Sequence, residues 1–178
     1  MKTIITLFII ATCYKSIGQD VVLRHVKSVK MIEGYGGITK IGRTFGVGYI
    51  HFISNKFYLN PEFNFESGSL GSTKFKDYTG LLTCNYSLLN LKDKFYVNIP
   101  LGFNVGLNRI EKFTSEDKTY NFKAMQTVYY GGVGGLNLEY YINKSTALSV
   151  SFKEFYMLKN PMGLWKYEIL GGIRIAIN

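Results

Sequence analysis

The sequence predicts an all-β fold, a closed up-and-down antiparallel barrel of about eight strands of the outer-membrane type. Three observations carry the prediction. Apolar residues recur with period two along the chain beyond its N-terminal segment, and no convincing helical periodicity interrupts them. The longest alternating run, Phe95 to Leu107, exceeds the ~5–6 residues of an ordinary strand and reaches the ~9–11 of a tilted membrane-crossing one. The composition sets 14 Tyr, 13 Phe and 19 Gly against 3 Pro, which favours sheet over helix.

The chain opens on an export signal. Lys2 supplies a basic start, Ile4 to Ala11 an apolar run, and Ser16-Ile17-Gly18 the small residues of a cleavage site. The run is too short to cross a bilayer as a helix, which takes ~20 apolar residues. Residues 1–18 are therefore expected to be removed, leaving 19–178 as a single barrel domain with a short N-terminal tail. Cys13, after Ile10-Ala11-Thr12, partly matches a lipidation site, so acylation stays open as an alternative. With the signal gone Cys84 is the one cysteine left, and no intramolecular disulfide can form.

Eight strands follow in order. Residues 30–37 are Gly-rich and the least regular. Residues 43–53 carry Phe45, Val47, Tyr49 and Ile53 on one face, although Ile50 and Phe52 break the parity. Phe57, Leu59, Pro61, Phe63 and Phe65 alternate with Tyr58, Asn60, Glu62, Asn64 and Glu66. Tyr78, Gly80, Leu82, Cys84, Tyr86 and Leu88 alternate with Thr79, Leu81, Thr83, Asn85 and Ser87. Phe95 to Leu107 places Tyr96, Asn98, Gly102 and Asn104 opposite its apolar row. Val128, Tyr130, Leu136, Leu138, Tyr140 and Ile142 form a row interrupted at Gly132 and Gly134. Thr146 to Phe152 and Trp165 to Ile177 complete the set.

Connections alternate in length. Short ones are expected at 54–56, 89–94 and 143–145, and longer or more polar ones at 38–42, 67–73, 108–119 and 158–164. This matches short periplasmic turns and longer outer loops, with both chain ends on the periplasmic side. Two hairpin registers follow from parity. Ile142 opposite Thr146 places Tyr140 against Leu148 and Leu136 against Phe152. Leu88 opposite Phe95 places Tyr86 against Val97 and Gly80 against Phe103. Both keep the apolar rows on one face.

Period two does not say which face looks out. Long strands, a second face of Gly, Asn, Ser and Thr suited to a crowded small lumen, and aromatics near strand ends (Tyr78, Tyr86, Phe95, Tyr140, Trp165, Tyr167) favour lipid outside. The rival is a secreted lipocalin-like barrel with its apolar face around a ligand. Closure itself removes the unpaired strand edges that hydrocarbon does not tolerate.

The formal charge of +9 falls to +7 once Lys2 and Lys15 leave with the signal. Lys40, Arg43, Lys74, Lys76, Arg109, Lys112, Lys118, Lys123, Lys159 and Lys166 are expected in or beside the outer loops. A basic collar there suits outer-membrane lipid or lipopolysaccharide phosphates, and plain solvation explains it equally well. The aromatics lie on the opposite kind of face from a stacking groove, so no direct nucleic-acid binding is expected.

No catalytic, cofactor-binding or metal site is expected, and the chain is read as not an enzyme. His25 and His51 are the only histidines, which leaves triad chemistry and metal-ligand spacing without support. The glycines of 131–135 lead into strand-like sequence, not a helix, so a bent strand is read there in place of a phosphate loop. Glu62, Glu139, Lys153 and Arg174 fall on inward faces. They are expected to form a polar network filling the lumen, because charges inside a small barrel need partners.

Val128-Tyr129-Tyr130-Gly131-Gly132, Leu136 to Ile142, Phe152-Lys153-Glu154 and Gly171 to Asn178 resemble the conjugative transposon protein TraO family of Bacteroidetes. The likeness covers about the last fifty residues, and Gly34-Tyr35-Gly36-Gly37 agrees more loosely. Residues 156–164 depart from the pattern, and the final Ile177-Asn178 departs from the terminal Phe of many outer-membrane barrels. The resemblance implies an accessory outer-membrane component of a conjugative DNA-transfer apparatus, with other conjugation proteins as partners and no catalytic residues to carry over. The alternatives are a general outer-membrane barrel for adhesion or small-ligand interaction and the secreted barrel.

Overall fold

The structure, a computed structural model, describes residues 25–70, 73–112 and 125–177. The expected signal segment and Cys13 lie outside the described residues. Eight strands form: β1 Lys30–Thr39, β2 Gly42–Phe52, β3 Phe57–Leu70, β4 Thr73–Leu91, β5 Phe95–Lys112, β6 Met125–Tyr141, β7 Thr146–Leu158 and β8 Trp165–Ile177. Each pairs antiparallel with its sequence neighbours, and β1 pairs with β8 to close the barrel. Following partners from Glu62 through Leu81, Asn104, Gly131 and Met157 reaches Leu164 at the outer end of β8. The other way, through Gly48 and Glu33, reaches Arg174 near its inner end. The sheet therefore closes with a stagger, and the strands tilt across the barrel wall.

The period-two rows sort cleanly. Ile32, Phe45, Val47, Phe63, Leu82, Leu101, Phe103, Val105, Val128, Val150, Phe152, Ile169 and Ile173 all point outward and are exposed, Leu101 to 63%. Asn60, Asn64, Thr83, Asn85, Asn98, Asn104, Asn137 and Ser151 point inward and are buried. An apolar face outside and a polar one inside overturns the lipocalin-like alternative. Exposed aromatics gather toward the strand ends. Tyr78, Tyr130, Tyr156, Trp165 and Tyr167 stand toward one rim, and Phe57, Tyr86 and Tyr140 toward the other. Several pair across strands, such as Tyr156 with Trp165, ring centroids 5.0 Å apart.

The β6–β7 hairpin has the register parity predicts, with Tyr140 opposite Leu148 and Leu136 opposite Phe152. The β4–β5 hairpin differs. Tyr86 meets Ile99, Leu82 meets Phe103, and Gly80 meets Val105. β4 runs on to Leu91, absorbs a bulge between Ser87 and Leu89, and turns through Lys92 and Asp93, both at positive φ. The Asn90 side chain clamps this turn by accepting the Asp93 amide at 3.0 Å. A two-residue shift preserves parity, so the faces survive and only the partners change. Phe103 instead lies beside Gly132 on β6.

The outer connections also differ from expectation. Strand pairing consumes most of 38–42 and 67–73, leaving two-residue links after β1 and β3. The polar residues that suggested loops, Ser67 and Lys76 among them, are paired strand residues. The parity break at Ile50 and Phe52 is equally physical. Both are fully buried, in an apolar cluster with Val29, Met31, Tyr58, Tyr96, Tyr141 and Ala147 that fills the inner mouth.

Candidate functional site

The lumen is the one place where chemistry-bearing side chains converge. At the inner mouth the chain before β1 folds back over the opening, and the ring of His25 stacks on Tyr96 at 3.8 Å. His25 Nε2 lies 2.9 Å from Glu139 Oε2. Above it Arg174 is fully enclosed. Its Nε donates to Glu33 Oε1 at 3.0 Å and its Nη2 to Glu33 Oε2 at 3.3 Å, a forked pairing with its own cross-strand partner. Its Nη1 donates to Glu139 Oε2 at 3.0 Å. Asn98 also donates to Glu139 and Ser149 to Glu33, so the carboxylates are shared among several donors.

Half-way up, Lys153 Nζ donates to Glu62 Oε2 at 2.5 Å while its ammonium sits 5.4 Å from the Tyr35 ring centroid. Asn60 donates to the other oxygen of Glu62, and Tyr35 donates to Asn64. Toward the outer mouth Lys166 Nζ lies 2.5 Å from Glu66, 2.9 Å from Glu168 and 3.7 Å from Asp77. Tyr129 donates to Asp77 at 2.7 Å, and its ring belongs to a second apolar cluster with Leu81, Val133, Phe155 and Met157. Gly106 is required beside it, because a Cβ there would lie 2.2 Å from the Tyr129 ring.

The four residues singled out from the sequence are all inside, as two separate pairs, Glu62 with Lys153 and Glu139 with Arg174. Sequence reasoning missed Glu33, which lies in the irregular Gly-rich strand, and His25, which lies in no periodic segment. Glu66 and Glu168 stood on the polar rows and could have been chosen by parity alone. Lys166 is a correction. It was expected in the outer basic collar, but it lies on an inward position of β8 and is buried among three carboxylates.

What space remains inside is small. The void between Glu62, Lys153 and Arg174 measures about 10 Å³, and that below the outer mouth, against Glu66, Asp77 and Lys166, about 20 Å³. Each has room for about one water. The charged layers and two apolar clusters plug the barrel, and no cluster of His, Cys, Asp or Glu suited to a metal ion occurs among the described residues.

The outward face has one described acidic exception. Glu154, exposed on β7, faces a groove of about 520 Å³ whose floor is Gly132, Gly134 and Gly135 and whose walls include Phe152, Tyr156 and Trp165.

No family model matches the chain, and no curated protein matches it. Solved structures do. The N-terminal β-barrel domain of Pseudomonas aeruginosa OprF is 12% identical with a TM-score of 0.62, covering 85% of this chain and 98% of that one. The outer membrane protein OprG of Pseudomonas aeruginosa is 14% identical with a TM-score of 0.60, covering 87% and 99%. Ail, the attachment invasion locus protein of Yersinia pestis, is 11% identical with a TM-score of 0.59, covering 85% and 100%. At such identities the likeness shows the shared barrel fold.

Proposed function

We propose that the protein is a non-catalytic outer-membrane barrel that holds its outer rim and loops at the cell surface for interaction with surface partners or ligands. The observation that carries this reading is the sorting of faces: rows of Phe, Leu, Ile and Val outside a closed wall, with the charges paired inside. Water outside would leave far more apolar surface exposed than a soluble monomer tolerates. The plugged lumen argues for surface interaction over transport. The His25–Glu139 pair is enclosed by Phe52, Tyr58, Tyr96 and Tyr141 and engaged with Arg174, a structural arrangement. Attachment, the task in Ail's name, is one that a barrel of this shape can serve.

Cys84 provides the test. It is exposed on the outward face near the middle of the wall. In a Cys13→Ser chain residing in membranes, a water-soluble maleimide should leave Cys84 unmodified until the protein is unfolded in urea. Prompt labelling of the folded protein would show that water, not lipid, covers this face.

A second reading rests on the TraO resemblance of residues 128–178, which structurally is the β6–β8 wall. In it the barrel is an accessory of a conjugation apparatus. Deleting the gene from a donor strain should then lower transfer frequency, and an unchanged frequency would remove this reading while leaving the first intact.

A further inference from the structure

At the outer rim, outward-facing positions on four adjacent strands fall on one register row. Arg43 on β2 pairs with Ser67 on β3, Ser67 with Lys76 on β4, and Lys76 with Arg109 on β5. Arg43 and Arg109 are exposed and Lys76 is half-buried. The next outward row toward the membrane is Phe45, Phe65, Tyr78 and Leu107, again in direct register. The face thus changes from apolar to cationic within one step of the pleat.

Neighbouring strands lie ~4.8 Å apart, so Lys76 and Arg109 are immediate neighbours and Arg43 is two strands away. Like charges directly opposite each other across strands destabilise a sheet unless an anion lies between them. Lys74, one outward step above Lys76, is register partner to Lys112 and repeats the juxtaposition. The carboxylates adjacent in sequence do not answer these charges, because Glu66 and Asp77 point into the lumen around Lys166. No described outward side chain of β2–β5 at or above this row is acidic.

We propose that this rim is a binding site for a phosphorylated outer-leaflet glycolipid of the lipopolysaccharide class. Arg43, Lys76 and Arg109 hold its phosphates, and Phe45, Phe65, Tyr78 and Leu107 lie under its acyl chains. Two features select this ligand over a soluble polyanion. The cations end the apolar belt, at the height where a lipid changes from chain to headgroup. They also face sideways from the wall, where a neighbouring lipid stands, and not into the mouth. Arginine supplies the forked geometry that phosphate accepts. The inference rests on the outer-membrane reading above.

The test uses the mature chain refolded in detergent micelles and titrated with bisphosphorylated lipid A, binding being read by native mass spectrometry. The Arg43→Ser/Lys76→Ser/Arg109→Ser chain should bind roughly a hundredfold more weakly, each cation near an anionic membrane surface being worth about fivefold. A Lys56→Ser/Lys94→Ser chain, which removes charge from exposed inner turns, should bind as the parent does. Dephosphorylated lipid A should bind poorly to all three. Equal binding by the triple variant, or by dephosphorylated lipid A, overturns the inference. Displacement by inorganic pyrophosphate as effective as by lipid A would reassign the row to a soluble anion and overturn it too. Insertion into lipid vesicles, followed by heat-dependent gel mobility, separates the two levels. A chain that inserts but binds lipid A indifferently sinks this site alone, and a chain that does not insert sinks the membrane reading with it.

Discussion

Arg174 shows what individual residues contribute inside this barrel. It is fully buried, it forks onto Glu33, and it is shared with Glu139. Two carboxylates would lose their counter-charge without it. Breaking a buried pair from one side costs about 3–5 kcal/mol, because the abandoned charge stays buried. Arg174→Met should lower stability by that order in urea unfolding from lipid vesicles. Adding Glu33→Gln and Glu139→Gln should restore much of the loss, since neutral amides need no cation. A triple variant no better than the single one would mean that Arg174 acts through packing alone. Glu154 is the opposite case, a carboxylate on the outward face with no hydrogen bond or ion pair in the structure. Replacing it with Leu should stabilise the bilayer-inserted protein by about 1 kcal/mol, read in the same unfolding measurement. A destabilised Glu154→Leu chain would place this side chain in a polar contact, not in lipid.

At the scale of elements, closure depends on how closely β1 approaches β8. A Cβ on Gly37 would lie 2.0 Å from the Ile169 carbonyl oxygen, so only glycine fits the seam. Gly171, on β8, has open space around its missing side chain. Gly37→Ala should therefore reduce the folded, heat-modifiable fraction on refolding, and Gly171→Ala should leave it unchanged. Equal behaviour of the two would show that the seam can yield. The same scale explains what could be read from the chain. Parity along β3, β5, β7 and β8 identified strands, faces and the inward positions of Glu62, Glu139, Lys153 and Arg174, because one buried face and one lipid-type face impose strict alternation. Where both kinds of residue point inward, the rule blurs. Ile50 and Phe52 looked like errors of phase and are the floor of the inner apolar cluster. Lys166 looked like a loop cation, because its position at the start of β8 says nothing of the three carboxylates that β3, β4 and β8 bring to it. The β4–β5 register was unreadable, because bulges conserve faces while shifting partners. His25 carries no periodic signal at all. Its place follows from tertiary packing against Tyr96 and Glu139.

Across the whole molecule the wall is uneven. β1 and β2 have 10 and 11 residues, near the length a tilted strand needs to cross hydrocarbon, whereas β3 to β6 have 14, 19, 18 and 17. The surplus of β3 and β5 lies mainly at the end opposite the chain termini, because their inner ends stay close to the short turns at 53–56 and 92–94. One side of the barrel therefore stands above the other on the outer side, and it carries the cationic row. The 113–124 link leaves this tall wall, and the 159–164 link leaves the shorter one. If this end faces the exterior, trypsin added to intact cells should cut after Lys159, which is exposed at the top of β7. Denaturing analysis would then show release of the 160–178 fragment. Lys56, Lys92, Lys94 and Lys144, all exposed in the opposite turns, should be spared until the envelope is permeabilised. Tight hairpins also resist proteases, so protection of those four lysines proves orientation only if permeabilised cells do release their fragments. Cleavage at Lys94 or Lys144 in intact cells, with Lys159 protected, would invert the barrel in its membrane. It would also place Arg43, Lys76 and Arg109 against the periplasmic leaflet, where the glycolipid site could not operate.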